Sequence, residues 1–321
     1  MAQGTHDYAA DPRNANIKIN INGEFFHRDD AKISVFDSGF VLGDGVWEGL
    51  RVHEGVIVFL GRHLRRLYDG AKALDMTIPL SKQQLTERLY QSIDANQMTE
   101  GGHIRLMVTR GTKATPYQDP RVTISPPTIV IIPEFKSPVQ ETLDHGIRLF
   151  TVHVRRGYPD VQDQKLNSHS KINCILACIQ ATKAGADEAL MLDPHGFVAT
   201  CNSTHFFIVR DGELWTSTGQ FCLGGVTRKL VIEAARHEGI PVFEKNFSLT
   251  DVYGADEAFV TGTYAGLVPV REVDGRGIGD TDASDLTPGE QVSGEGGVGP
   301  MVARLRTAYQ RQLKASISGG R

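Results

Sequence analysis

The sequence predicts an α+β protein made of two α/β domains. Three observations carry that expectation. Alternating, strand-like stretches and amphipathic, helix-like stretches follow one another along most of the chain. The 321 residues are comfortable for two domains and too many for one small one. A polar stretch with two prolines, Pro133 to His145, divides the chain, and the character of the segments changes past it. The expected boundaries are an N-terminal arm over 1–16, a smaller α/β domain over 17–135, a linker over 136–145 and a larger, β-rich domain over 146–321.

The elements follow in order. IKININGEFF reads as a strand, a tight Asn-Gly turn and its continuation. GLRVHEGVIVFL is a second strand pair, turning at His53, Glu54 and Gly55. Leu60, Leu64, Leu67 and Ala71 form one apolar stripe of a helix over about 61–74. Ser81 is the N-cap expected for the next helix, from Lys82 to Asn96. HIRLMVTRG and TIVIIPEF are strands of one sheet, and the loop between them is too long to be only a connector. Beyond the linker, GIRLFTVHV, DEALMLD, HFFIVRDGELWT and EAFVTGT supply strands. Helices are expected over Ile172 to Ala184, over TRKLVIEAARHEG and over MVARLRTAYQRQLKA. The Gly-, Asp- and Ser-rich stretch from Asp274 to Gly299 reads as a mobile surface loop.

Bulk composition narrows the function. Hydrophobic residues make up 40% and charged residues 22%, as in ordinary globular proteins. A net charge of −4 and a pI near 6.3 give no footprint for nucleic acid. No apolar run approaches the ~20 residues that span a bilayer. The first twenty residues lack the apolar core of a signal peptide, so a cytoplasmic protein is expected. Cys174, Cys178, Cys201 and Cys222 do not have metal-ligand spacing and are expected to be buried or semi-buried free thiols, with no metal site.

Three glycine-bearing turns stand out, FVLGDGVWEG, LGGVTRK and VTGTYAG. In the second, Gly224 and Gly225 let backbone approach a ligand, and Val226, Thr227 and Arg228 open a helix whose N-terminus suits a phosphate. Thr227 as a plain N-cap is the alternative. Thr263 is a further donor for the same anion, and Arg66 on HLRRLY is either its charge-assisted partner or a surface residue. Lys165 and Lys171, in DQKLNSHSKIN, are the candidate reactive centres, because a lysine forms a Schiff base with an aldehyde cofactor and then shuttles a proton. A phosphate pocket with a lysine suggests pyridoxal phosphate.

The ordered set GDGVWEG, HLRRLY, VTRG, DQK, GADEALMLDPHGFV, LGGVTRKLV, EAFVTGT and PVREVDG, from about Ile17 to Gly279, resembles the class IV aminotransferases. These include the branched-chain and D-amino-acid aminotransferases and the (R)-selective amine transaminases. The resemblance implies the D-amino-acid-aminotransferase-like, fold-type IV architecture, pyridoxal 5′-phosphate as cofactor, a homodimer, and an amino donor and a 2-oxo acid as substrates. It implies that Arg66, Val226, Thr227 and Thr263 hold the phosphate, the Val and Thr partly through backbone N–H groups, that Gly225 belongs to the cofactor site, and that Leu223 packs on the pyridine ring. Its lysine spacing to Asp187, Glu188 and Ala189, allowing about two inserted residues, selects Lys165 over Lys171.

The resemblance also has departures. Thr200, in FVATCNSTHFF, stands where most members carry a glutamate against the pyridine nitrogen. A hydroxyl there makes the ring a weaker electron sink. Thr115 and Tyr117 replace the Arg and His with which the D-amino-acid enzymes grip a carboxylate. Arg105 resembles the strand arginine of the branched-chain enzymes, with His103 and Leu42 in place of two of their tyrosines. Trp47 gives a bulky apolar wall, and Tyr264 completes the substrate-side candidates. The expected activity is amino transfer from a donor with an apolar, branched-chain-like side chain. The alternatives are a lyase resembling aminodeoxychorismate lyase, D-amino-acid or (R)-amine specificity, and a cofactor-free binding protein.

Overall fold

The computed structural model of the chain describes residues 4–6, 10–279 and 298–320. Most of the expected surface loop over 274–299 lies outside the described residues. The chain divides into two compact units. One, called here the small unit, comprises Ala9–Ser137 together with Leu166–Lys171 and Leu313–Arg321. The other, the large unit, comprises Met1–Tyr8, Pro138–Lys165 and Ile172–Gln312.

The small unit contains, in order, β1 (Lys18–Ile21), β2 (Glu24–His27), α1 (Ser38–Leu42), β3 (Gly45–His53), β4 (Val56–Ile57), α2 (Leu60–Ala73), α3 (Lys82–Ala95), β5 (Gly102–Thr109) and β6 (Ile129–Phe135). Its strands form one antiparallel sheet in the order β2-β1-β6-β5-β3-β4. Alternation explains the sheet's two faces. Ile104, Leu106 and Val108 of β5 are fully buried, with Leu64 and Leu67 of α2 and Leu85 and Leu89 of α3 in the same core. Ser81 caps α3, accepting from the Gln84 N–H while Gln84 Oε1 accepts from the Ser81 N–H. The expected strand TIVIIPEF is β6, which ends at Phe135 beside β5.

The large unit begins with α4 (Gln140–His145), a helix within the expected linker. It continues with β7 (Ile147–Thr151), α5 (Pro159–Gln162), α6 (Ile172–Lys183), β8 (Glu188–Leu192), β9 (Val198–Cys201), β10 (His205–Arg210) and β11 (Glu213–Thr216). Then come α7 (Val226–His237), β12 (Val242–Glu244), α8 (Leu249–Tyr253), β13 (Glu257–Gly262), β14 (Gly266–Val273), β15 (Arg276–Gly277) and α9 (Pro300–Ser318), of which 300–312 belong to this unit. The main sheet order is β12-β11-β10-β13-β14-β7-β8-β9, with β15 beside β14. It is mixed, since β7 runs parallel to both β14 and β8. Gly239, at φ +72°, follows α7 as its left-handed stop. Of the four free thiols, Cys201 and Cys222 are buried and Cys174 is half-buried, but Cys178 is exposed, against expectation. Its place on the solvent side of α6 explains this.

Candidate active site

In the small unit, β3 puts consecutive residues to opposite uses. Val46, Glu48 and Leu50 point into the core, while Trp47 and Gly49 are on the other face. Glu48 is thus a fully buried carboxylate, and its partners come from α2. Arg66 Nε donates to Oε1 and Nη2 to Oε2, both at 2.7 Å, and His63 Nδ1 lies 2.7 Å from Oε2. Burial pushes the Glu48 carboxyl up, but the hydrogen bonds from Arg66 and His63 outweigh it and hold the group below its ordinary value. Arg66 is therefore no ordinary surface residue, because a buried carboxylate fixes one edge of its guanidinium.

On the opposite face the sheet register sets Gly49 against Arg105. The Arg105 guanidinium lies 3.8 Å above the Trp47 ring. Residues 167–169 are clipped to β3. The Trp47 N–H donates to Asn167 O, Asn167 Nδ2 donates to Trp47 O at 2.6 Å, and Trp47 Nε1 donates to Ser168 O. Lys171 is half-buried, with Nζ 3.2 Å from Asn167 Oδ1 and 5.5 Å from the Trp47 ring centre. Trp47, Arg105 and Lys171 are thus brought together. Leu42 ends α1, half-buried. The glycines of FVLGDGVWEG have a steric role here. Gly43 ends α1 at φ +67°, and a Cβ on Gly45 would lie 2.6 Å from Val108 O and 2.9 Å from the His169 ring. His169 Nε2 donates to Val46 O at 3.1 Å, and burial lowers its proton affinity.

In the large unit, Gly225 and not Thr227 is the N-cap of α7. No side chain caps this helix, and its first turn holds no acid. Val226, Thr227 and Arg228 are all buried. A buried helix start without a side-chain cap suits an anion. Leu223 is half-buried at the turn that precedes it, where the Gly225 N–H donates to Leu223 O. Thr263 and Tyr264 lie between β13 and β14, with Thr263 half-buried and Tyr264 buried under a stacked His6 ring. The nearby Thr261 hydroxyl is buried without a hydrogen-bond partner. Lys165 is exposed; its N–H donates to the Asp163 side chain, and its ammonium is close enough to Cys222 to act on that thiol, whose proton affinity burial raises.

Thr200 is buried on β9 within a chain of hydrogen bonds. Arg228 Nε donates to His205 Nε2 at 2.9 Å, Thr216 Oγ1 lies 2.8 Å from the same nitrogen, and His205 Nδ1 lies 3.4 Å from Thr200 Oγ1. The Thr200 hydroxyl donates in turn to Thr204 O at 2.9 Å. Burial, with Arg228 and Arg156 nearby, holds His205 well below the usual histidine range and so neutral. Thr200 therefore offers a ligand a lone pair and no proton.

The profile of the family described as "Amino-transferase class IV" matches residues 45–273. The chain belongs to this family. A putative branched-chain-amino-acid aminotransferase of Methanocaldococcus jannaschii is 43% identical over 272 residues, 84% of this chain and 93% of that protein. The branched-chain-amino-acid aminotransferase-like protein 2 of Arabidopsis thaliana is 37% identical over 305 residues, 95% of this chain but only 52% of that protein. The chain thus spans about half the length of this plant relative. Among solved structures, the T.th. branched-chain amino acid aminotransferase with pyridoxamine 5′-phosphate superposes with a TM-score of 0.83 at 31% identity, covering 93% of this chain and 95% of that one. The α+β, fold-type IV architecture expected from the sequence holds.

Class IV aminotransferases use pyridoxal 5′-phosphate, and the residues of this chain fit its phosphate end. The uncapped start of α7 supplies oriented N–H groups, and on β13 of the same unit the buried Thr261 hydroxyl has no hydrogen-bond partner among the described residues. Thr200 is a neutral, buried residue at the position where the family resemblance puts an acid. Sequence reasoning missed Glu48, Asn167, His205 and Arg156. Glu48 alone had a signal, as an acid in the core phase of an alternating strand.

Proposed function

We propose that the protein is a pyridoxal-phosphate-dependent aminotransferase, moving an amino group from a donor with an apolar, branched-chain-like side chain to a 2-oxo acid. The observation that carries this reading is the buried, uncapped start of α7 beside Leu223 and Gly225. When bound, the cofactor supplies an aldehyde to carry the amino group and a ring to take up electrons. Val226 would hold its phosphate through its backbone N–H and Thr227 through its N–H and its hydroxyl, with Thr263 and Arg66 as further donors and Leu223 against the ring. Trp47 is the apolar wall for the side chain, and Arg105 and Tyr264 line the substrate. Titration with cofactor should give a visible absorbance that changes with an amino donor, and amino transfer from leucine or valine to 2-oxoglutarate should follow. A protein that neither binds the cofactor nor transfers amino groups refutes this reading.

For the lysine, the family spacing selects Lys165 and the surroundings favour Lys171. Lys165 is exposed, whereas the Lys171 ammonium is half-buried beside Asn167 and Trp47. A base that takes a proton from a substrate Cα must be held near substrate and away from bulk water. We therefore assign the covalent and proton-moving role to Lys171, with Lys165 the alternative.

Two measurements check the cofactor contacts. Thr227→Val keeps the shape of a buried residue and removes one hydroxyl. It is expected to weaken cofactor binding about 10- to 100-fold, as for a hydrogen bond to a charged group; an unchanged dissociation constant takes Thr227 out of the site. At the other end, Thr200→Glu places an anion where a ring proton is stabilised. The ¹⁵N shift of ring-labelled cofactor should move toward the protonated range in the variant only. A protonated nitrogen already present in the wild-type protein means that another acid reaches it.

The reading includes a cytoplasmic homodimer. No described helix is long and apolar enough to cross a membrane. Ile172, Ile175, Leu176 and Ile179 of α6, spaced i, i+3, i+4 and i+7, are 63%, 51%, 46% and 45% exposed in the single chain. Such a stripe is ordinarily covered, and a second copy is the occupant the reading supplies. Sedimentation should show a dimer, and a monomer when Ile175 and Ile179 are both replaced by Glu; a wild-type monomer refutes the assignment.

A further inference from the structure

Residues 4–6, the described part of the N-terminal arm, belong to the large unit. Chain termini are ordered only where something ties them down, and here two side chains do so. Thr5 is buried, and its hydroxyl donates to Glu188 Oε2 at 3.1 Å. His6 stacks on Tyr264, with ring centroids 5.9 Å apart and planes 10° from parallel, and Tyr264 is buried. Glu188 is itself a buried carboxylate whose hydrogen-bonding partners among the described residues are neutral. Oε1 accepts from the N–H and hydroxyl of Ser203, at 3.0 and 2.6 Å, and from the N–H and hydroxyl of Thr204, both at 2.9 Å. Such a carboxylate depends on each donor it has, because a buried charge left short of hydrogen bonds is costly.

The arm therefore ties two turns together. Glu188 fixes the turn between β9 and β10, where Thr204 O accepts the Thr200 hydroxyl. Tyr264 lies in the turn between β13 and β14, and the two turns abut, since a Cβ on Gly262 would lie 3.5 Å from Thr204 Cγ2. In the transaminase reading above, these turns carry Thr200 toward the cofactor ring, Thr263 toward its phosphate and Tyr264 toward the substrate. We infer that Thr5 and His6 are positioning residues for the substrate wall, acting through Glu188 and Tyr264 to hold the two turns in the arrangement that receives the substrate. The inference rests on that reading for what the wall faces.

The test compares the cofactor-loaded wild-type chain with Thr5→Val/His6→Ala, which loses the hydroxyl and the ring, and with Thr5→Ser/His6→Phe, which keeps both. Two quantities are followed. One is the KM for leucine and 2-oxoglutarate; the other is the apparent affinity for 4-methylvalerate, an unreactive carboxylate, read from its effect on the thermal midpoint. A ligand that binds only the held arrangement loses affinity as that arrangement is depopulated. With a ring stack and a hydrogen bond to a carboxylate both gone, Thr5→Val/His6→Ala should bind 4-methylvalerate at least about tenfold more weakly. KM should rise in step, kcat should change by less than about twofold, and cofactor content should stay as in wild type. Thr5→Ser/His6→Phe should recover the affinity. If Thr5→Val/His6→Ala does not fold, His6→Ala alone is read, since His6 is exposed. An arm that only stabilises the fold would lower the ligand-free midpoint and leave affinity and KM unchanged; that result overturns the inference while the transaminase reading stands. Loss of cofactor in place of substrate affinity also overturns it. A protein that transfers no amino group yet binds 4-methylvalerate in an arm-dependent way defeats the transaminase reading and keeps the wall, and one that neither transfers nor binds defeats both.

Discussion

Lys171→Ala is expected to leave the cofactor bound only non-covalently and to lower amino transfer by about 10²–10⁴-fold or more, the range that a positioned general base contributes. Lys165→Ala should keep both the covalent link and most of the rate. The physical reason lies in what surrounds each amine. Lys171 is tied to Asn167 Oδ1, Asn167 is clamped to the Trp47 carbonyl, and the Trp47 indole is itself anchored to Ser168 O. This gives Nζ a fixed address on β3, and a proton carried between two nearby atoms needs such an address. Among the described residues the Lys165 side chain has no comparable hydrogen bond, since the bond at that residue is made by its backbone N–H to Asp163. Borohydride reduction of the loaded protein, followed by peptide mass analysis, identifies the modified lysine directly. Modification at Lys165, with transfer surviving in Lys171→Ala, means that family spacing was the better guide and that Lys171 only supports the Trp47 face.

Glu48→Gln is the substitution expected to cost the most stability. It leaves Arg66 and His63 facing a neutral amide in a site where Glu48 is fully buried. Removing one partner of a buried ion pair costs about 3–5 kcal/mol, because the remaining charge keeps its desolvation and loses its attraction. A lowered denaturation midpoint at pH 7 is the result to look for, and a variant within about 1 kcal/mol of wild type shows that the pair is worth little. The pH dependence has a definite sign. The folded Glu48 holds its proton less tightly than an ordinary glutamate at 4.5. Its contribution is therefore complete above about that value and is lost as pH falls through the lower, folded value. Wild type should lose stability on that acid limb, and Glu48→Gln should lack this component.

Much of the fold was legible because its signals are local. The Leu60-Leu64-Leu67 stripe repeats at helical spacing, and α2 runs over Leu60–Ala73. Ser81 and Gln84 form the cap that their spacing allows. The polar run after Pro133 holds two things at once. Its first three residues close β6 as the strand TIVIIPEF predicts, and Gln140–His145 form the short helix α4, which a run of a proline and charges does not announce. The start of α7 was legible in LGGVTRK, although the cap fell on Gly225 and not on Thr227.

The sequence by itself determined the two-domain α+β plan, the family motifs, and the glycine turn that opens α7. Each rests on residues within a few positions of one another, where spacing alone fixes which side chains share a face. Only the tertiary structure decided that Arg66 closes on Glu48, 18 residues away, while Arg156 meets the Cys201 carbonyl, 45 residues away, and no carboxylate among the described residues. In the sequence the two arginines look alike. Whether a charge is paired depends on which distant strand delivers an oxygen to it, and that is set by the packing of the sheets, which no local pattern encodes.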